Sequence, residues 1–187
     1  MPLATAVAAS AAYPLALPAL DRVFEFERRN GDHHPERVVL TDGGVFDNLG
    51  TSCLMPGRSE AYSSNVFSVD YIVTCDAGRG LLAPATPIGW PSRVKRSFES
   101  TFRKVQDGAR GRLHDAAASE ELAGFVMPYL GQRDETLPCV PAGLIPRDAV
   151  ADYPTDFRAM SRGALDMLID RGEQLTRLLI DSYCPEL

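Results

Sequence analysis

The chain is short of the residue patterns that mark metal and redox proteins. Its four cysteines, Cys53, Cys75, Cys139 and Cys184, form no C-x-x-C pair, and none of the three histidines stands at metal-ligand spacing from any of them. No metal site and no organic cofactor are expected, and a reducing compartment is expected over a disulfide framework. Cys75 lies inside an apolar run, where a small buried side chain is the ordinary role. Positive charge is also scarce: 19 Lys and Arg against 25 Asp and Glu leave a net charge of −6, which removes the general electrostatic case for nucleic-acid binding. Nor is there an unbroken apolar run. Residues 1–20 carry no charged side chain, but they lack a basic start, and Pro14 and Pro18 interrupt them. This argues against a signal peptide and a membrane span, and predicts an Ala-rich helix ending before Pro14, then an irregular turn. A cytoplasmic or peripheral-membrane location is expected.

What is present suits one domain over residues 1–187, with 14 prolines and 15 glycines implying many turns. Arg22 to Glu27 alternates enough for a short strand or extended edge, and Arg28 to Pro35 reads as a polar loop holding His33 and His34. Val38 to Thr41 reads as a buried strand that stops on Asp42-Gly43-Gly44. Phe46 to Leu54 follows as a short helix or turn. Val69 to Cys75 reads as a second buried strand, ending on Asp76 and the glycines Gly78 and Gly80. Two such strands separated by non-strand sequence predict an α/β fold, a mainly parallel sheet flanked by helices. Ligands on such sheets gather at the carboxyl ends of strands, the position of both Asp42 and Asp76.

From Ser92 the apolar residues Val94, Phe98, Phe102, Val105, Ala109 and Leu113 step along one helical face. The other face is basic. Arg93, Lys95, Arg96, Arg103, Lys104, Arg110 and Arg112 oppose only Glu99 and Asp107, a local +5. It reads either as a solvated face or as a contact for anionic lipid headgroups. Gly124 to Leu130 holds one more short strand. Residues 131–154 read as a poorly ordered connection, and the last helix starts near Thr155 or Ser161, with Leu165 to Leu179 as a core face.

The stretch Leu40 to Gly50, LTDGGVFDNLG, bears the candidate chemistry. Glycines tolerate positive φ and admit close neighbours, so a carboxylate at Asp42 can sit beside a reacting group. Asp47 and Asn48 can brace the same turn through their short polar groups. The alternative is a plain Asp-Gly turn. Asp76 is the reserve carboxylate. His33, His34 and His114 read as surface residues.

This block resembles the Asp-Gly-Gly/Ala block of the patatin-like phospholipases. AVAASAAYPLALP resembles the segment that precedes it in that family, VDYIVTCDAG the strand that follows, and YPTDFRAMSRGALDMLIDRGEQL is similar to the C-terminal helix of bacterial members. The similarity runs over most of the chain and is weakest in the middle. It implies a partial patatin-like (α/β/α) domain, its C-terminal portion, and a lipid acyl-ester hydrolase with a Ser-Asp dyad whose aspartate maps onto Asp42. Desolvation at a buried strand end would make that carboxylate a stronger base.

The family's G-x-S-x-G elbow is missing. Gly50-Thr51-Ser52-Cys53-Leu54 and Gly57-Arg58-Ser59-Glu60-Ala61 lack the last glycine and follow Asp42 instead of preceding it, so both read as loop serines. Three alternatives stay open: a serine outside this chain, a substitute nucleophile at Ser10, or a non-catalytic binding module. Ser10 also reads as a buried helix hydroxyl. The apolar opening needs a cover, either an N-terminal portion of the domain or a second copy.

Overall fold

The computed structural model describes residues 1–14, 17–28, 30–63, 66–76, 88–154 and 158–187. Leu15 and Ala16 of the opening segment, the turn residues Gly78, Arg79 and Gly80 after Asp76, and Thr155 as a helix start lie outside the described residues. Within them the chain mixes helices and strands in the order α1 (Leu3–Ser10), β1 (Leu20–Glu27), β2 (His33–Leu40), α2 (Gly44–Asp47), β3 (Tyr71–Val73), α3 (Trp90–Ala118), β4 (Gly124–Val126) and α4 (Arg162–Tyr183).

The expected mainly parallel sheet is replaced, among the described residues, by two two-stranded sheets, of which only one is parallel. β1 and β2 form an antiparallel hairpin, from Leu20 opposite Leu40 to Glu27 opposite His33. Its turn closes with the Gly31 N–H on the Arg28 carbonyl at 2.8 Å, and Gly31 has φ +86°. His33 and His34 therefore belong to a strand and not to a loop. Among the described residues this ribbon is mostly exposed on both strands. Val39, expected in a buried strand, is 61 % exposed. A diagonal Arg37–Asp21 ion pair and the His34 ring 5.9 Å from the Phe26 ring hold its register.

The core forms around β3 and β4, which run parallel with Ile72 opposite Phe125. Here helices do cover both faces. Ile72 packs with Leu113 and Ala116 of α3, while Val126 packs with Leu175, Leu178 and Leu179 of α4. Each buried leucine contributes about 1.5–3 kcal/mol, so this small sandwich holds most of the apolar stabilisation. Cys184, and not Cys75, is the buried thiol of the core, and Cys75 is exposed.

The ends of the two long helices depart from the core pattern. Val94 near the start of α3, and Leu165 and Ile169 in α4, are exposed, because the sheet they would cover is two strands wide among the described residues. Ser161 caps α4 as expected, its Oγ accepting from the Ala164 N–H at 3.3 Å. The connection 131–154 is ordered, contrary to the sequence reading. It carries two short 3-10 turns and is organised by Arg171 of α4, which is wholly buried. That guanidinium donates to the carbonyls of Ile145 and Gln132 and to Asp134 Oδ1.

Candidate functional site

Asp42 lies two residues past the end of β2 and stands where the end of α1 meets the strand. The Ala12 carbonyl accepts both the Asp42 N–H and the Thr41 hydroxyl, each at 3.1 Å, and Ala12 is itself buried. One carbonyl thus ties the two segments together. The Asp42 carboxylate turns back on its own loop, and the Gly44 N–H donates to Oδ1 at 2.7 Å. Asp42 is half-buried, and among the described residues its Oδ2 makes no hydrogen bond.

Neither glycine is needed for an unusual backbone angle, and only Gly44 is needed for space. Gly43 has φ −63°, within the range of any residue, and Gly44 is the first residue of α2. A methyl group on Gly44 would lie 2.7 Å from Asn48 Oδ1, 2.9 Å from Asp42 Oδ1 and 3.2 Å from the Phe102 ring. A methyl on Gly43 would meet only Ser10 Oγ, at an ordinary 3.8 Å. Gly44→Ala is therefore expected to cost about 1–3 kcal/mol through overpacking and to push the carboxylate off its N–H. Gly43→Ala is expected to stay within about 0.5 kcal/mol. Urea denaturation of the two variants checks this, and equal midpoints would refute the assignment of Gly44 as the crowded position.

Of the residues singled out from the sequence, the fold brings Ser10, Asp42, Gly43, Gly44 and Asn48 together. Ser10 ends α1 and is exposed, not the buried helix hydroxyl expected, and no hydrogen bond joins it to Asp42. Asp47 faces away: its Oδ2 accepts the Ser52 N–H at 2.7 Å, so it braces the following loop, while its buried Oδ1 has no hydrogen-bond partner. Asp76 is engaged elsewhere. Its side chain is almost fully buried, and Oδ2 accepts from Gln106 at 2.8 Å and from Arg110, pinning α3 to the end of β3. Arg110 is thereby withdrawn from the exposed basic face.

Sequence reading missed the aromatic wall. Tyr13 meets Phe98 edge-on at 5.5 Å between centroids, and Phe98 neighbours Phe102 at 6.4 Å. The Tyr13 hydroxyl is pushed above the usual phenol range, by burial first and then by the negative charges of Glu99 and Asp42. A phenol, a hydroxyl and a carboxylate thus share one corner, walled by two rings of α3. Phe98 and Phe102 carried only a core-like spacing, and no local signal aimed them at Asp42.

Among the described residues, no helix is long and apolar enough to cross a membrane. No family model, no curated protein and no solved structure matches the chain.

Proposed function

We propose that this chain carries the acid–base half of a lipid acyl-ester hydrolase of the patatin-like type, with Asp42 as the aspartate of a Ser-Asp dyad. The observation that supports it is the Asp42 carboxylate at a strand end, fixed through Oδ1 by the Gly44 N–H, with Oδ2 left for a proton. In the first step a serine Oγ bonds to the ester carbonyl carbon while its proton passes to Asp42. Collapse of the tetrahedral intermediate breaks the ester C–O bond, and the departing alcohol takes that proton. Water then cleaves the acyl-serine by the same exchange, with Asp42 as base.

The serine of the family's elbow would come from outside these 187 residues, in a longer chain or a partner. Ser10 is the alternative within them, favoured by its Oγ beside Gly43. Fluorophosphonate labelling with mass mapping tests the reading. A label on Ser10 identifies the compact version. An unlabelled chain that gains p-nitrophenyl ester hydrolysis on addition of an elbow-bearing segment identifies the divided one. A chain that stays inert under both conditions is a binding module, and the proposal fails.

A lipid substrate also needs a surface. The start of α3 exposes Ile88 at 91 % and Trp90 at 75 %, beside a face shared by Arg93, Arg96, Arg103 and Lys104. Apolar and aromatic groups next to basic ones suit the boundary of an anionic membrane. Trp90 is the only tryptophan, so its emission is expected to shift to the blue with anionic vesicles and to recover at high salt. Each Arg or Lys changed to Ala on this face is expected to weaken binding by about 1 kcal/mol. The same shift with neutral vesicles, or none with either, would leave this a solvated face.

A further inference from the structure

We propose that the cavity at the carboxyl end of β3 and β4 is a binding site for an uncharged hydrocarbon segment of a ligand, with Gly172 as its open wall. The inference does not rest on the Asp42 dyad. The cavity encloses about 530 Å³, inside the range of about 300–1,000 Å³ that holds single small molecules. It sits where parallel strands deliver their ligands, next to Asp76 and Tyr129, which form the last bridge between the two strands.

The wall sets the chemistry. Pro128, Leu130, Pro154, Met160, Leu168 and Leu175 supply an apolar lining. Its two charged residues have their charges paired within the fold, Asp76 by Arg110 and Gln106, and Arg171 by Asp134 and two carbonyls, while the buried Arg171 Nε keeps no hydrogen-bond partner. Among the described residues of the wall a ligand charge would find no free counter-ion, so the buried part is neutral. α4 presents a glycine to this space in mid-helix, where alanine or leucine would favour the helix more. A Cβ at Gly172 would meet nothing within 4 Å. Among the described residues no packing contact accounts for the missing side chain, and its absence keeps the cavity open.

The test is titration of the full chain with the neutral dye N-phenyl-1-naphthylamine, followed by fluorescence. Saturable binding is expected, and Gly172→Leu is expected to weaken it at least tenfold without lowering the thermal midpoint, since leucine favours the helix. Gly163→Leu is the control: it lies on the same helix in open space but away from the cavity, and binding should be unchanged. Bound dye should also slow iodoacetamide alkylation of Cys75, an exposed thiol of the wall, relative to Cys139, which is exposed elsewhere. Asp42→Asn should leave the titration unaltered, which separates this site from the dyad. Equal binding by Gly172→Leu, no saturable binding, or tighter binding of an anionic naphthalenesulfonate dye would each overturn the proposal.

Discussion

Asp42→Asn is expected to lower ester turnover by about 10²–10⁴-fold, the range lost with a general acid–base, with little change in the urea midpoint. The asparagine amide oxygen can still accept the Gly44 N–H, which Oδ1 of Asp42 receives at 2.7 Å, so the loop keeps its shape. The amide cannot take the serine proton, so the loss falls on the chemical step and appears in kcat more than in KM. Assays use whichever preparation shows turnover, the chain alone or the chain with an elbow-bearing partner. Undiminished turnover in Asp42→Asn would eliminate the dyad in both versions. Loss of turnover with a matching loss of stability would assign Asp42 to the fold alone. The Tyr13 hydroxyl offers a second readout. Part of its raised pKa comes from the Asp42 charge, so removing that charge should let it fall toward the ordinary phenol value.

Arg171→Met is expected to cost about 3–5 kcal/mol, as when one partner of a buried pair is removed. Against a typical domain stability of about 5–15 kcal/mol, that is a large fraction. The substitution leaves the Gln132 and Ile145 carbonyls and one oxygen of Asp134 without their donor. Residues 131–154 are tied to α4 through this side chain, through Gln174, which accepts from the Ile145 N–H and donates to the Gly143 carbonyl, and through Leu137 and Leu144 packed against the leucines of α4. Arg171→Lys should not restore stability, because a single ammonium cannot span acceptors that the planar fork reaches together. A urea-midpoint loss under about 1 kcal/mol would show that the connection is held by other contacts.

The same network carries a pH signature. Burial is the largest influence on Asp134 and disfavours its charge. The Arg147 N–H and the Arg171 guanidinium outweigh it and hold the carboxyl below its usual range. A carboxyl depressed in the fold contributes stability in full above its unfolded-state pKa of about 3.9, and loses it as pH falls through the lower folded-state value. The stability gap between the native chain and Asp134→Asn should therefore shrink below about pH 4. A gap that is constant down to pH 2 would contradict this.

Local pattern was enough for much of the fold. The spacing of Phe98, Phe102, Ala109 and Leu113 announced α3, Ser161 was one of two residues, with Thr155, marked as the start of α4, and the apolar run before Asp76 announced β3. These signals lie within a few turns or residues of the feature they predict. The Asp-Gly-Gly turn was legible for the same reason, its glycines having been read both as backbone relief and as room for a close neighbour. Gly44 proved to be room for Asp42, Asn48 and Phe102, and Gly43 is under no such constraint. The hairpin was misread because an apolar four-residue run, Val38 to Thr41, looks alike in a buried strand and an exposed ribbon. The difference lies in the partner, and Arg22 to Glu27 showed only weak alternation. Arg171 was hidden among the polar residues of an amphipathic helix, and nothing near it marks Gln132, Asp134 and Ile145 as acceptors.

The order of residues alone decided where helices start, where strands stop, and that a carboxylate flanked by small residues follows the second strand. Those outcomes depend on backbone preference and short-range periodicity, which act between near neighbours. Tertiary contact decided the rest: that Tyr13, Phe98 and Phe102 wall the Asp42 corner, that Asp76 is bound to α3, and that a cavity opens between β3, β4 and α4. These join residues tens of positions apart, and such pairings arise only when apolar faces are buried together and each buried polar group finds a partner.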